Sequence, residues 1–541
     1  MAASFLIILA ILVFIIGYIF YGRFLTKKFD IDPKRATPAH TMRDGVDYVP
    51  AKSPVLLGHH FASIAGVGPI LGPIYAAVFG WIPVFLWILV GSLFVGGVHD
   101  FSSIVASIRH GGKSVGEVIE DYIGERGRRL FLIFTWFMLV LVVAVFAKAV
   151  ASTFIKEPSA ATASFLFIVL AVFFGLSIYR LHLPLWLATI VGVGLLFGCV
   201  LLGLRFPIHL SYNWWMYLLF GYIFVAAVTP VWILLQPRDY LNSFLLYFVL
   251  LGGIVGIFVA NPRVVFPGFT SFHTDIGFFF PMLFVTVACG AVSGFHSLVS
   301  SGTTSKQLDV ETDARIVGYG GMLIEGVLAV VAMITAVTIL QGNYHHLLTK
   351  EGGGPIGIFS SGVGAFISKI GIPVKGAITF AALSISAFAL TSLDTATRLA
   401  RFIFQEFFEK KGSEKKSILS RNRYIGTLVT IIFAGLLAFS GSSKVLWPLF
   451  GSANQLLAAI VLLSITVWLA ELKKKNNFVK YPMFFMFAVT LTALGNLIYK
   501  NFVAKNLTLF FIAILLFGVA IVLVVQAGKS LRSIDKEETR S

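Results

Sequence analysis

The sequence predicts an all-α polytopic membrane protein with about fifteen transmembrane helices, its amino end outside and its carboxyl end inside. Three observations lead there. Of 541 residues, 57% are hydrophobic and 12% charged, against about 25% charged in an average soluble chain. Apolar runs of about 20 residues, enough to cross a bilayer, recur along the whole chain. Most lysine and arginine residues gather in alternate connections, the pattern of the positive-inside rule. A net charge of +17 would point to nucleic acid in a soluble protein; here the charges lie between apolar spans and report topology.

The first span, near 4–21, is apolar almost from the start, without a basic leader or a small-residue cleavage site, and reads as a retained helix. Residues 22–53 are basic with Asp30, Asp32, Asp44 and Asp47 interspersed, a cytoplasmic connection. The second span, 54–79, is long enough to cross but holds His59, His60, Gly66, Gly68, Pro69, Gly72 and Pro73. Proline removes a helical hydrogen bond and glycine weakens what remains. A helix broken at membrane depth is tolerated only where protein or a water-filled cavity covers the freed backbone. Spans follow near 81–107, 130–152, 163–180, 184–203, 214–234 and 243–260. The span at 277–301 repeats the grammar of His, Ser and Gly around a break, between Cys289 and Gln307. Further spans lie near 317–340, 376–399, 424–440, 445–469, 481–499 and 507–527.

The longer connections differ in character. Residues 341–375 are glycine-rich and apolar, fit for a lid, a re-entrant piece or a packed external loop. Residues 401–423 form a charge-rich cytoplasmic linker, and the tail after Gln526 is charged and reads as disordered. Trp447 to Gln455 opens its span with an interruption and two amides. Cys199 and Cys289 both lie inside apolar spans and form neither a disulfide nor a metal motif. By charge alternation the span holding Gly66 runs outward and the span holding Gly294 runs inward. Broken helices of opposite direction are what an inverted-topology repeat produces.

Ionisable groups at membrane depth are costly and mark function by default. His59, His60, His99, Asp100, His296, Glu325 and Asp394 all fall roughly 7–12 Å from the inner boundary at 1.5 Å per residue. Their common depth predicts one polar cluster able to carry a proton, against structural hydrogen bonding between helices. Thr391, Ser392 and Asp394 offer hydroxyls and a carboxylate in about one turn, hard ligands suited to Na⁺ or a proton site. Lys148, near an outer span end, reads as a snorkelling side chain or a contact for an anionic substrate.

These stretches together resemble the carbon starvation protein A family. The matching segments are His59 to Pro73, His99-Asp100-Phe101 leading to Arg109 to Ser114, Gln236 to Leu241, Phe295 to Gln307, Leu393 to Arg398 and Trp447 to Gln455. The resemblance implies an inner-membrane importer of peptides or pyruvate under carbon starvation, driven by a proton. It also implies a five-plus-five inverted-repeat core like that of the amino acid–polyamine–organocation superfamily. The chain then divides into an extra helix and basic loop (1–53), a first repeat (54–203), two inserted helices (204–276), a second repeat (277–470) and two peripheral helices with a charged tail (471–541).

The expected mechanism places a substrate carboxylate on the backbone of Gly66, Val67 and Gly68, facing Ser300, Ser301 and Gly302. Free N–H groups at a half-helix start attract anions. Thr391, Ser392 and Asp394, with carbonyls near Ala62, are the expected cation site; His59, His99, Asp100 and His296 are the proton candidates. The partners expected are a small carboxylate substrate and the lipid bilayer, without nucleic acid or cofactor, and with H⁺ or Na⁺ as coupling ion. A Na⁺-coupled carboxylate or amino-acid symporter is the nearest alternative. From other classes come a membrane metal or haem protein with His59, His99 and His296 as ligands, and a nutrient sensor that binds without transport.

Overall fold

The computed structural model describes residues 1–348, 354–409, 417–440 and 443–538, with the side chains of 341, 440, 443–448, 508–509 and 530–538 left out. Twelve helices among these residues are long and apolar enough to cross a membrane, thirteen if a bent pair counts as one span. Three shorter apolar helices accompany them, Tyr212–Val228, Gly354–Ser368 and Arg423–Phe439. The first and last coincide with two of the fifteen expected spans. The middle one falls within the 341–375 stretch, of which residues 349–353 lie outside the described residues. The strands are a two-residue pair, His273–Thr274 with Gly277–Phe278. The chain is a multi-pass α-helical membrane protein.

Contacts between distant segments define two ends of the bundle. At the basic end, Ala51 N–H donates to Gln307 O at 3.0 Å, Ser107 Oγ to Ser305 Oγ at 2.9 Å, and Arg109 Nε to Glu311 at 2.7 Å. Asp47 pairs with Arg398 and Arg401 at 2.8 and 2.9 Å, and Lys474 reaches Asp30. At the opposite end, Ala3 N–H donates to Pro262 O, Thr270 N–H to Phe79 O, and Val265 N–H to Val337 O. The two broken spans therefore run in opposite directions between these ends.

The first break lies where the sequence places it. The Ser53–Ile64 helix starts with proline in its first turn, stops before Ala65, and resumes as Gly68–Phe79, turned by 45°. Pro69 restarts the helix at a position where its missing N–H costs nothing. The second break lies earlier than expected. Gly294–Gly302 is an uninterrupted, fully buried helix; the interruption is the turn Ala288–Gly290 and the extended Ser293 before it. A Cβ on Gly294 would meet Leu457 Cβ at 2.6 Å, so this glycine serves close packing instead.

Three helices overrun their expected ends. Leu235–Ala260 begins well before residue 243 and carries Arg238 and Asp239 into the interior. Val374–Phe407 continues past 399, with Arg398 and Arg401 buried. The last helix, Leu507–Glu538, runs past Gln526 through most of the tail expected to be disordered. In the first two, burial against neighbours and ion pairing keep the charged turns helical, which local hydropathy does not register.

Candidate functional site

The outer halves of the two broken spans touch. A Cβ on Gly68 would sit 2.5 Å from Cys289 Sγ, and one on Gly72 would sit 2.6 Å from Thr286 O. Only the absence of side chains lets these helices approach so closely. Beside this contact opens a cavity of about 490 Å³, reaching from Gly68, Ala288 and Cys289 to Asn496 and Lys500 near the opposite end of the bundle. Gly68 opens a helix, so its amide belongs to the first-turn donors that have no intrahelical acceptor. Gly66 N–H turns back to Ile64 O at 2.8 Å. The second break is clamped by the amides of the Leu449–Glu471 span. Asn454 Oδ1 accepts from Phe295 N–H at 2.7 Å, and Gln455 Nε2 donates to Val292 O at 3.0 Å.

Of the six residues expected to hold substrate, Gly68 alone lines this cavity. Gly66 packs on Ser392 and Phe146, Gly302 turns to Leu399, and Ser300 and Ser301 are fully buried. Gly66 and Gly68 thus meet Ser392 and Cys289, and Val67 is buried, in place of the expected facing onto Ser300, Ser301 and Gly302. The reason is the earlier position of the second break, which leaves residues 300–302 about two helical turns beyond it.

The polar residues form two networks in place of the single expected cluster. In the first, His59 Nδ1 lies 2.7 Å from Asp239 Oδ2, and Arg238 Nη2 lies 2.5 Å from Asp239 Oδ1. The same guanidinium holds Asp394, with Nη2 2.9 Å from Oδ1 and Nη1 in close contact with Oδ2. Tyr222 Oη adds a bond to Asp394 Oδ2 at 2.8 Å. Arg238, Asp239 and Asp394 are each at most 1% exposed. The carboxylate expected to bind a mobile cation is filled by a resident one. Thr391 Oγ1 accepts from Asn242 Nδ2 at 3.3 Å, and Ser392 Oγ donates to Ser63 O at 3.1 Å beside the first break.

The second network is a chain. His99 Nδ1 and Asp100 Oδ1 are 2.8 Å apart, Asp100 Oδ2 and His296 Nδ1 3.0 Å, and His296 Nε2 and Glu325 Oε2 3.3 Å. All four side chains are fully buried. Neither Glu325 oxygen makes a hydrogen bond among the described residues, nor does His99 Nε2. His60 Nδ1 meets Thr304 Oγ1 at 2.8 Å, and its ring rests on Gly321, one turn before Glu325. Among the described residues no group of three or more His, Cys, Asp or Glu is arranged to hold a metal ion. Lys148 donates to Ala438 O at 3.2 Å.

Arg238, Asp239 and Tyr222 were not among the expected site residues. The signal was present: Arg-Asp within Gln236 to Leu241, followed by an apolar run. Placing the span start at 243 turned the pair into loop charges. At the basic end, burial alone would push the Asp47 carboxyl up, but Arg401, Arg398 and Lys306 hold it below the ordinary carboxylate value.

Comparison with known proteins agrees with this architecture. The family model described as carbon starvation protein CstA matches residues 2–352 and 348–493. The chain is 32% identical over 565 residues to the pyruvate/proton symporter BtsT of Escherichia coli, covering 87% of this chain and 78% of that protein. It is 33% identical over 546 residues to the peptide transporter CstA of Escherichia coli, covering 88% and 78%. The Bacillus subtilis peptide transporter CstA is 33% identical over 523 residues, covering 88% and 87%. Among solved structures, an Eremococcus coleocola manganese transporter aligns with TM-score 0.51 at 14% identity, covering 92% of this chain and 99% of that one. That likeness concerns the fold alone. With two thirds or more of these relatives spanned and nearly the whole chain matched, this protein belongs to the carbon starvation protein CstA family, a family of membrane transporters.

Proposed function

We propose that the protein imports a small carboxylate substrate, pyruvate or a peptide, across the cytoplasmic membrane together with protons. The observation that carries this reading is the cavity that ends on the two breaks, with the His99–Asp100–His296–Glu325 chain buried across three helices, His296 being on the one that continues from the second break. The broken helices present amide donors to a carboxylate at Gly68 and the residues around Cys289. The chain of alternating imidazoles and carboxylates supplies groups that exchange protons at hydrogen-bond distance. By the positive-inside rule the basic end is cytoplasmic and the cavity opens outward. Rocking of one half against the other would then deliver the substrate inward.

A proton is favoured over Na⁺ because Arg238 occupies Asp394. The Thr391, Ser392 and Asp394 set would have to expel a paired guanidinium before accepting a metal cation. A fixed ion triad of this kind supports helix positioning instead. The test is uptake of labelled pyruvate and of a dipeptide into proteoliposomes, with proton and Na⁺ gradients imposed separately. Accumulation driven by the proton gradient alone is expected; accumulation that follows Na⁺ alone would overturn the coupling assignment. Gly68→Leu should abolish uptake while membrane insertion persists, since the side chain would fill the contact with Cys289.

A further inference from the structure

The outer cavity has a charge pattern that coupling does not use. Its wall runs from the breaks to the exposed end of the Asn477–Val503 helix, where Asn496 and Lys500 lie one turn apart on one face. Lys500 is the one Lys, Arg, Asp or Glu among the described lining residues. It forms no ion pair with a described residue. Its Nζ lies 3.8 Å from the place a Cβ on Gly277 would take, so the ammonium folds over the His273–Phe278 hairpin at the cavity's edge. Lys500 also lies beyond residue 493, where the family match ends. The cation belongs to the last helices of this chain.

We propose that Lys500 makes the outer cavity a capture site for small, amine-free carboxylate anions, which it holds above the breaks before inward passage. The proposal rests on the transport reading and adds its substrate class. A cation at the rim of a cavity with largely apolar walls directs part of its field inward. A carboxylate gains from that field. The ammonium of a zwitterionic peptide finds no carboxylate among the described lining residues and sheds hydration without a partner there. Volume does not choose, because about 490 Å³ lies within the range of ligand pockets generally; charge does.

Two readouts on the full chain test it. In proteoliposomes, Lys500→Gln should raise KM for pyruvate about fivefold with kcat unchanged. It should also remove the rise in KM that salt causes in the parent protein, whereas Lys500→Arg keeps both properties. Independently of uptake, Asn496→Cys in a Cys199→Ser background, with Cys289 buried, reports the local field one turn from Lys500. An anionic methanethiosulfonate should react there faster than a cationic one, and Lys500→Gln should lower that ratio about fivefold. An unchanged ratio, or dialanine taken up with a lower KM than pyruvate, would overturn the proposal. Absent pyruvate uptake with the reagent ratio intact would overturn the transport reading and leave the anion site standing.

Discussion

The two buried networks use the same residue types and differ in closure. Around Arg238, both oxygens of Asp239 and of Asp394 have donors, and the guanidinium ties three helices together. Around His296, the chain ends on Glu325, whose oxygens have only a histidine nitrogen at 3.3 Å. A closed network holds position, because every charge in it already has its partner. An open-ended one can change its proton count without leaving a fixed ion stranded. Equal burial thus goes with unequal chemistry, and what separates the two is a permanent cation.

Removing that cation should have the largest effect. Arg238→Ala leaves two buried carboxylates uncompensated and should cost about 3–5 kcal/mol, read as a lowered unfolding temperature of the solubilised protein. Adding Asp394→Asn should restore part of the loss. A single variant as stable as the parent would erase the distinction between the networks. Glu325→Gln sharpens it from the other side. The swap is close in shape and removes no hydrogen bond seen in the fold, so stability should change by less than about 1 kcal/mol. Accumulation driven by a proton gradient should fall at least about tenfold while substrate exchange persists. Loss of exchange as well would make Glu325 a structural residue like Asp394.

A smaller loss of stability than at Arg238 is expected at the basic end, where the mostly buried Asp47 joins the buried Arg398 and Arg401. Asp47→Asn keeps an acceptor oxygen but removes the charge facing two buried guanidiniums, and should cost about 1–3 kcal/mol. Because the arginines depress the Asp47 carboxyl, its stabilisation is complete above the ordinary aspartate value of about 3.9 and fades as pH falls through the depressed one. The gap in unfolding temperature between parent and variant should therefore close only in strong acid. A gap that closes near neutral pH would place the ion pair outside this account.

Much of this was legible in the chain alone. Apolar runs and alternating basic loops gave the polytopic helical class, because bilayer thickness and charge cost act on local sequence. Pro69 between glycines marked the first break, since proline acts on its own backbone wherever it sits. The second break was displaced, because Gly294 answers to a neighbouring helix rather than to its own. Arg238 read as a loop charge for a similar reason: its burial depends on Asp394, 156 positions away.

What the sequence determined by itself is that the chain spans a membrane many times and carries ionisable groups at depth, because those follow from composition within single segments. Tertiary structure alone decided which histidine met which carboxylate, that a guanidinium took the expected cation site, and that Lys500 faced a cavity. Those outcomes depend on distance in space, and in a bundle of long helices sequence separation carries almost no information about that.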